Sequence, residues 1–331
     1  MPKRTTRHRA AVLSALLLWA PTALAVDWLS VIWHNDLFVG KDGGGYTNGA
    51  FVAWYRLSAL DDTPEFKRPP LLRGWSPLLL PARDNVRFEV NAHALGQVMS
   101  TPQNISATTP EVNDAPYAGL LFLRSAYFAV YDDYADILGL NVGIIGPASG
   151  AEHTQAFIHK ITGSTDPQGW DYQLRNEPVF NIERGRIWRL ASSPREPSFD
   201  LLAMAGVSAG NFESAAGGGF ILRFGAGLQD SFPTAAQMTG RISNPMAING
   251  GWNVYLGVSS EYVHNQILVE GNYLRSSASA DLEHWQYQFS AGFSYSWDAF
   301  SATLSLSDGN TMDRRATARQ RFGSLTFAWR L

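Results

Sequence analysis

The chain has 331 residues, with 26 Lys and Arg against 29 Asp and Glu, no Cys, and 41 aromatics (11 Trp, 12 Tyr, 18 Phe). A hydrophobic share of 45% excludes intrinsic disorder, and the lack of Cys excludes disulfide scaffolds, thiolate zinc sites and cysteine nucleophiles. A net charge of −3 offers no basic footprint for nucleic acid. Mean hydropathy of −0.12 argues against a polytopic helical membrane protein, yet it suits a membrane β-barrel, whose alternating strands average to neutral.

Residues 1–25 read as a secretory signal. Lys3, Arg4, Arg7 and Arg9 precede the apolar run Ala10–Ala20, and Ala23-Leu24-Ala25 forms an A-x-A cleavage site before Val26. The run is too short for a spanning anchor. Cleavage leaves residues 26–331 as one exported domain with 22 basic and 29 acidic side chains, net −7.

A first strand is predicted over 28–38. It ends in Trp33-His34-Asn35-Asp36-Leu37-Phe38, which sets an Asn-Asp pair at an otherwise apolar strand end. After the turn Asp42-Gly43-Gly44-Gly45, a second strand over 46–57 opens with Tyr46-Thr47-Asn48-Gly49. If the two strands pair, both clusters share one mouth. Asp36 is a hard oxygen ligand, and Thr47 with backbone carbonyls would complete a Ca²⁺ site. Asx-turn chemistry around a hairpin explains the same residues, so local sequence leaves the two readings open.

Segment 58–84, rich in Pro and Leu, is a long connection to strands at 85–96, 117–130 and 136–145. The stretch Gly150–Gly163, GAEHTQAFIHKITG, breaks the alternation and predicts a helix. At about 100° per residue, Glu152, Gln155 and His159 fall within an arc of roughly 60°, so a carboxylate, an amide and an imidazole share one face. Phe157, Ile158 and Ile161 are left to pack against barrel or lipid. A plain amphipathic cap with its polar face in solvent is the competing reading.

Further strands are predicted over 172–187, 198–210, 218–228, 252–261, 266–274, 285–297, 299–308 and 321–331. The clearest is 285–297, where Trp285, Tyr287, Phe289, Ala291, Phe293, Tyr295 and Trp297 alternate with Gln, Ser and Gly. Soluble strands run to about 5–6 residues, whereas a tilted membrane strand needs about 9–11. Aromatics at both ends match the girdles of two membrane interfaces, and small polar residues suit a narrow interior. A large soluble β-protein is the alternative, but its second face should carry many charges. Thirteen strands are one too many for a bacterial barrel, so twelve are expected, with the surplus near Gly217-Gly218-Gly219 in 198–228. The expected fold is thus a single antiparallel membrane barrel of about twelve strands with a short helix in an extracellular loop. The short turns at Asp132–Tyr134 and Asp298 and the 58–84 connection are expected on the periplasmic side. Segments 98–116, 146–171, 229–251 and 309–320 are expected outside.

These motifs together resemble the lipid A 3′-O-deacylase family of Gram-negative outer membranes. The resemblance rests on Asn35-Asp36-x-Phe38, Tyr46-Thr47-Asn48-Gly49, Asp114-Ala115-Pro116-Tyr117-Ala118-Gly119 and Gly146-Pro147. It continues through the Glu152/Gln155/His159 helix, Pro167-Gln168-Gly169-Trp170-Asp171 and Asn176-Glu177-Pro178, in family order from residue 35 to 178. Beyond that only the barrel pattern matches, and Leu331 stands where such barrels usually end in Phe. The resemblance implies Ca²⁺-dependent hydrolysis of the 3′-linked acyloxyacyl group of lipid A at the cell outer membrane. Asn35 and Asp36 match the family's Asn-Asp pair, Thr47 its hydroxyl position, and His159 the histidine taken as base. Gln155 is placed to orient His159 one turn away. Whether Glu152 or Glu177 serves as a site carboxylate stays open.

The one G-x-S-x-G pentapeptide, Gly206-Val207-Ser208-Ala209-Gly210, lies inside the predicted strand over 198–210 and not at the strand-to-helix turn of a nucleophile elbow, so a serine acyl-enzyme has no local signature. Water activated by His159, with Ca²⁺ near Asp36 and Thr47 polarising the ester, supplies base and electrophile. Lipid A carries phosphates, for which Lys41, Lys160 and Arg175 are candidate cations. The expected partners are lipopolysaccharide and outer-membrane lipids, not nucleic acid, and the chain is expected to act as a monomer. An outer-membrane phospholipase is the alternative enzyme. From a different class, a porin or structural barrel is the alternative, with a polar open lumen and no use for these motifs.

Overall fold

The computed structural model describes residues 27–35, 45–58, 69–75, 85–109, 114–162, 167–232, 251–316 and 319–331. The proposed signal at 1–25 lies outside them. The chain forms twelve strands: β1 (Trp28–Asn35), β2 (Gly45–Leu57), β3 (Phe88–Thr101), β4 (Ala118–Val130), β5 (Tyr134–Ile145), β6 (Glu177–Ser192), β7 (Ser198–Gly210), β8 (Glu213–Ala226), β9 (Gly251–Gln266), β10 (Trp285–Trp297), β11 (Phe300–Gly309) and β12 (Gln320–Arg330). Each pairs antiparallel with its sequence neighbours, and β1 pairs with β12 to close the barrel. Closure removes every free sheet edge, which a wall in hydrocarbon requires.

Alternation sorts the side chains. On β10, Phe289, Phe293, Tyr295 and Trp297 point outward and stay exposed, while Gln286, Ser294 and Ser296 point inward and are buried. Ring contacts such as Trp297–Phe300 at 4.5 Å and Tyr262–Trp285 at 5.3 Å join neighbouring strands near the two rims of the wall. Inside, hydroxyls pair with one another, as in Ser294–Thr303 and Ser305–Ser324, both at 2.8 Å. Arg124 is held by Glu183 at 2.6 Å, and Glu183 also accepts from Asn141 at 2.7 Å. The expected interior of small polar residues with partnered charges is what the barrel contains.

Apolar residues gather at both ends of the barrel. At the mouth opposite the chain termini, Phe51, Phe122 and Ile145 from the wall pack with loop residues Leu174, Leu268 and Met312. At the terminal end, Phe232 packs with Ile137, Ile187 and Tyr255. It is anchored beside the short helix α2 (Leu228–Ser231), where buried Arg223 donates to Ser231 at 3.0 Å and to Asp200 at 2.9 Å. Such apolar clusters at both ends differ from the open polar lumen that the passive-porin alternative needs.

Two expectations need correction. The surplus strand is 266–274, not one in 198–228. β9 runs on to Gln266, and Ile267–Glu270 forms a single helical turn, α3, whose Ile267, Leu268 and Val269 are buried as part of the mouth plug. A short apolar run reads alike as strand or buried helix, and burial decided for the helix. The glycines lie within β8, not at a boundary. A Cβ at Gly219 would collide with the Val258 carbonyl of β9, so they mark close backbone approach. The second correction follows from parity. The β7–β8 turn at residues 211–212 is at the mouth, so β8 descends and 229–251 connects strands at the terminal end, not outside. The turns at 131–133 and 298–299 and the 58–87 connection share that end, as expected.

The 58–87 connection does not simply hang below the wall. Its segment 69–75 folds back on the outer surface of β4 and β5, where Leu72 is buried among Tyr127, Ala129 and Leu138.

Candidate functional site

Cross-strand register builds the site. Gly323, Asn35, Asn48, Met99 and Gly119 form one outward-facing row across β12, β1, β2, β3 and β4. Neighbouring strands lie about 4.8 Å apart, so Asn35 and Asn48 are adjacent amides. Both are buried, and the outward-facing Trp33 donates its indole N–H to the Asn48 side-chain oxygen at 3.2 Å. The β2–β3 ladder slips between Tyr46 and Asn48, which makes Thr47 the extra residue of a β-bulge. Bulges recur beside functional sites. Asp36 and the Thr47 side chain lie outside the described residues. His34, one residue before Asn35, faces the interior instead, with its ring 5.1 Å from Phe51.

A helix covers the Met99 and Gly119 end of the same row. The predicted helix over 150–163 appears as α1 (Ala151–Thr162), lying on the outer face of β3 and β4. Gly119 makes this possible, because a Cβ there would overlap the Ala151 Cβ and the Ser149 hydroxyl. Gln97 of β3 donates to the Ser149 carbonyl at 2.7 Å, and Gly150 at φ 73° turns the chain into the helix. The buried face of α1 presents Ala151 and Gln155, with half-buried His159 one turn further along. The Gln155 carbonyl accepts from the Trp170 indole at 2.8 Å, and the Trp170 ring lies 5.2 Å from Tyr117. Tyr117 donates its hydroxyl to the Ile105 carbonyl at 3.2 Å, while its own carbonyl holds the Leu174 N–H at 2.8 Å. Burial pushes the Tyr117 phenol up, keeping it a protonated donor.

Helix, wall and anchoring loop thus bring Asn35, the Thr47 bulge, Gln155 and His159 to one lipid-facing side of the mouth. Glu152 separates from them onto the exposed side of α1. Glu177 is buried but occupied elsewhere, accepting from Asn272 at 3.1 Å and from the Leu274 N–H at 3.2 Å. Phe157 is 65% exposed and points away from the wall. The Ile161 side chain and Lys41 lie outside the described residues, and Lys160 is exposed. Among the described residues no group of three or more His, Asp or Glu gathers as a metal cage. Asn48, Tyr117, Gly119 and Trp170 emerge as parts of the site that single-strand patterning could not rank, because their roles depend on register and on a helix packed outside the wall.

Chemically, the arrangement offers an imidazole on a helix packed outside β3 and β4, with amide groups on the adjoining strands β1 and β2, on the outer face of the barrel. An amide N–H can stabilise a developing oxyanion, and an imidazole can carry a proton.

The family described as outer membrane protein LpxR matches residues 10–331. A search among curated proteins found no match. The structure is similar to that of LpxR from Salmonella typhimurium, with a TM-score of 0.74 at 15% identity, covering 92% of this chain and 100% of that one. The translocator domain of the autotransporter NalP from Neisseria meningitidis gives a TM-score of 0.40 at 10% identity, covering 98% of this chain and 94% of that one.

Proposed function

The chain belongs to the LpxR family of outer-membrane proteins, and from that membership we propose that this outer-membrane barrel hydrolyses the 3′-linked acyloxyacyl ester of lipid A. The observation that carries the reading is the outward row of Asn35, Asn48, Met99 and Gly119, whose β3 and β4 members carry the helix that bears Gln155 and His159. A site on the outer wall receives an acylated lipid sideways from the leaflet, with no need to draw its chains into a plugged lumen.

An imidazole nitrogen of His159 takes a proton from water as the water oxygen adds to the ester carbonyl carbon. The side-chain N–H of Asn35 donates to the oxyanion that forms. On collapse the bond between the acyl carbon and O3′ breaks, and the imidazolium returns its proton to O3′. The products are a carboxylic acid and a sugar hydroxyl. Gln155, pinned by Trp170, fixes the helix face on which His159 stands. The mouth also suits Ca²⁺: adjacent buried amides at Asn35 and Asn48 meet the backbone bulge at Thr47, and Asp36, next in sequence to Asn35, would add a carboxylate to an all-oxygen donor set. When bound, the ion supplies Lewis-acid polarisation of the ester carbonyl.

Mass spectrometry of lipid A from cells with and without the protein tests the reaction and its position together. Loss of the 3′ acyloxyacyl group is expected. Release of fatty acid from glycerophospholipid instead would favour a phospholipase. With purified protein, His159→Ala should lower turnover by about 10²–10⁴-fold. Full activity in that variant removes the proposed base, and undiminished activity after exhaustive chelation removes the metal.

A further inference from the structure

Just below the proposed oxyanion donor, on the side away from the mouth, the outer wall is notched. Ala50 of β2 is the cross-strand partner of both Trp33 and Gln97, and it lies two residues from Asn48 on the same outward face. It is therefore the diagonal neighbour of Asn35, about 7–8 Å away. Along this hydrogen-bonded row the flanking strands present large side chains, Leu121 and Gln97 on one side and Trp33 and Leu325 on the other. Between them stands a single methyl group, that of Ala50.

Both banks of the notch are tied. The Gln97 amide is drawn to the Ser149 carbonyl at 2.7 Å, toward the start of α1. The Trp33 indole is held by the Asn48 side-chain oxygen at 3.2 Å, toward the mouth. If Ala50 were small only to seat that indole, it would be buried beneath it, yet Ala50 stays exposed. From Ala50 an apolar strip continues over Val52, flanked by Val31 and Leu95, and all three are exposed. It ends at Trp54, whose ring stacks on His93 at 5.6 Å. From Asn48 to Trp54 the strand rises about 20 Å, slightly more than the roughly 15 Å depth of one hydrocarbon leaflet.

We infer that this notch seats the acyl chain of the scissile ester, and that Ala50 sets which chains fit. This rests on the deacylase reading. With the ester carbonyl at Asn35, the chain enters the wall at the row of Ala50 and runs down β2, parallel to the chains of the leaflet. Trp33 and Gln97 keep it from swinging sideways, so the carbonyl carbon stays beside the amides of the mouth. The chain in turn supplies packing contacts that this position of the wall otherwise lacks.

The test uses the full purified barrel in detergent micelles with two substrates, lipid A with its native 3′ acyl group and an analogue carrying acetyl there. Rates are taken per folded molecule. Ala50→Leu fills the notch and should lower kcat/KM on the native substrate on the order of tenfold, with no loss on the acetyl analogue, whose group is too short to reach it. Ala50→Gly leaves the notch open and should match wild type on both. Ala302→Leu adds the same bulk to the outer face of β11, away from the notch, and should also match wild type. An equal loss on both substrates in Ala50→Leu overturns the inference, because it reports damage to the site and not a blocked seat. So does an Ala50→Leu variant that equals wild type on the native substrate, or a comparable loss in Ala50→Gly or Ala302→Leu. If wild type hydrolyses neither substrate, the deacylase reading fails separately. In that case, or where the acetyl analogue is not turned over or Ala50→Leu does not fold, photo-crosslinking of wild type with lipid A bearing a diazirine on its 3′ acyl chain decides the seat alone. Labels concentrated on Trp33, Val52 and Leu95 support it, and labels spread evenly round the wall overturn it.

Discussion

Among the described residues, two polar patches on the outer wall, one at each end, each lie against a connection that folds back on the barrel. At the terminal end the roof is segment 69–75 and the patch is ionic. Asp136, fully buried, accepts from both Arg184 and Arg186, Glu89 accepts the Tyr127 hydroxyl, and Arg186 stacks 4.6 Å over the Tyr134 ring. At the mouth α1 lies on β3 and β4, and the candidate site residues described there are neutral amides and one imidazole, Asn35, Asn48, Gln155 and His159, with the Asp308–Arg319–Arg321 ion cluster beyond them on β11 and β12. Charges facing a bilayer are costly unless paired, and at the terminal end they are spent on one another. The mouth instead keeps hydrogen-bonding groups around an exchangeable proton. Similar architecture therefore serves two ends: one patch fastens a connection to the wall, and the other holds a helix beside the proposed site.

If that contrast is right, the two patches should fail differently. Asp136→Ala strands two guanidiniums against the wall, and the folded barrel should lose about 3 kcal/mol or more. A urea titration of the refolded protein reads this, while turnover per folded molecule should stay near wild type. A drop in turnover with unchanged stability would dissolve the distinction. Gly119→Val acts at the other roof. The added side chain meets Ala151 and Ser149, so α1 must lift from the wall. Displacing a base by about 1 Å costs on the order of 10²-fold in rate, so kcat should fall that far with the urea midpoint little changed. Wild-type turnover in this variant would show that the helix does not deliver the base.

How much of this was legible in sequence depends on the range of the interaction. The strand over 285–297 was readable end to end because seven alternating apolar residues record one wall. The helix was readable to within a residue at each end because Gly150 and Gly163 bracket a non-alternating run. Ile267-Leu268-Val269 misled because apolar content without alternation does not say whether it crosses a wall or plugs a mouth. The outward row was hidden for a deeper reason. Asn35, Asn48, Met99 and Gly119 are related only by hydrogen-bond register between four strands, and no single strand's pattern records register. Asn35 was found through its neighbour Asp36 in a motif, and Gly119 only as one residue of another motif, although it is what lets the helix sit down.

The finest probe of the mouth patch is the indole of Trp170. Trp170→Phe keeps an aromatic ring against Tyr117 and removes one donor, leaving the buried Gln155 carbonyl without the Trp170 hydrogen bond. Losing a hydrogen bond of this kind costs about 1 kcal/mol, too little to unfold a twelve-stranded barrel but enough to loosen one helix face. Amide exchange should therefore quicken across Gln155–His159 while the strands keep their protection, and kcat should drop about fivefold with KM nearly constant. A parallel rise in exchange along β3 and β4 would mean that the indole supports the wall itself. Unchanged exchange and unchanged kcat would mean that Gln155 takes its orientation from His159, reversing the order of dependence between the anchor and the base.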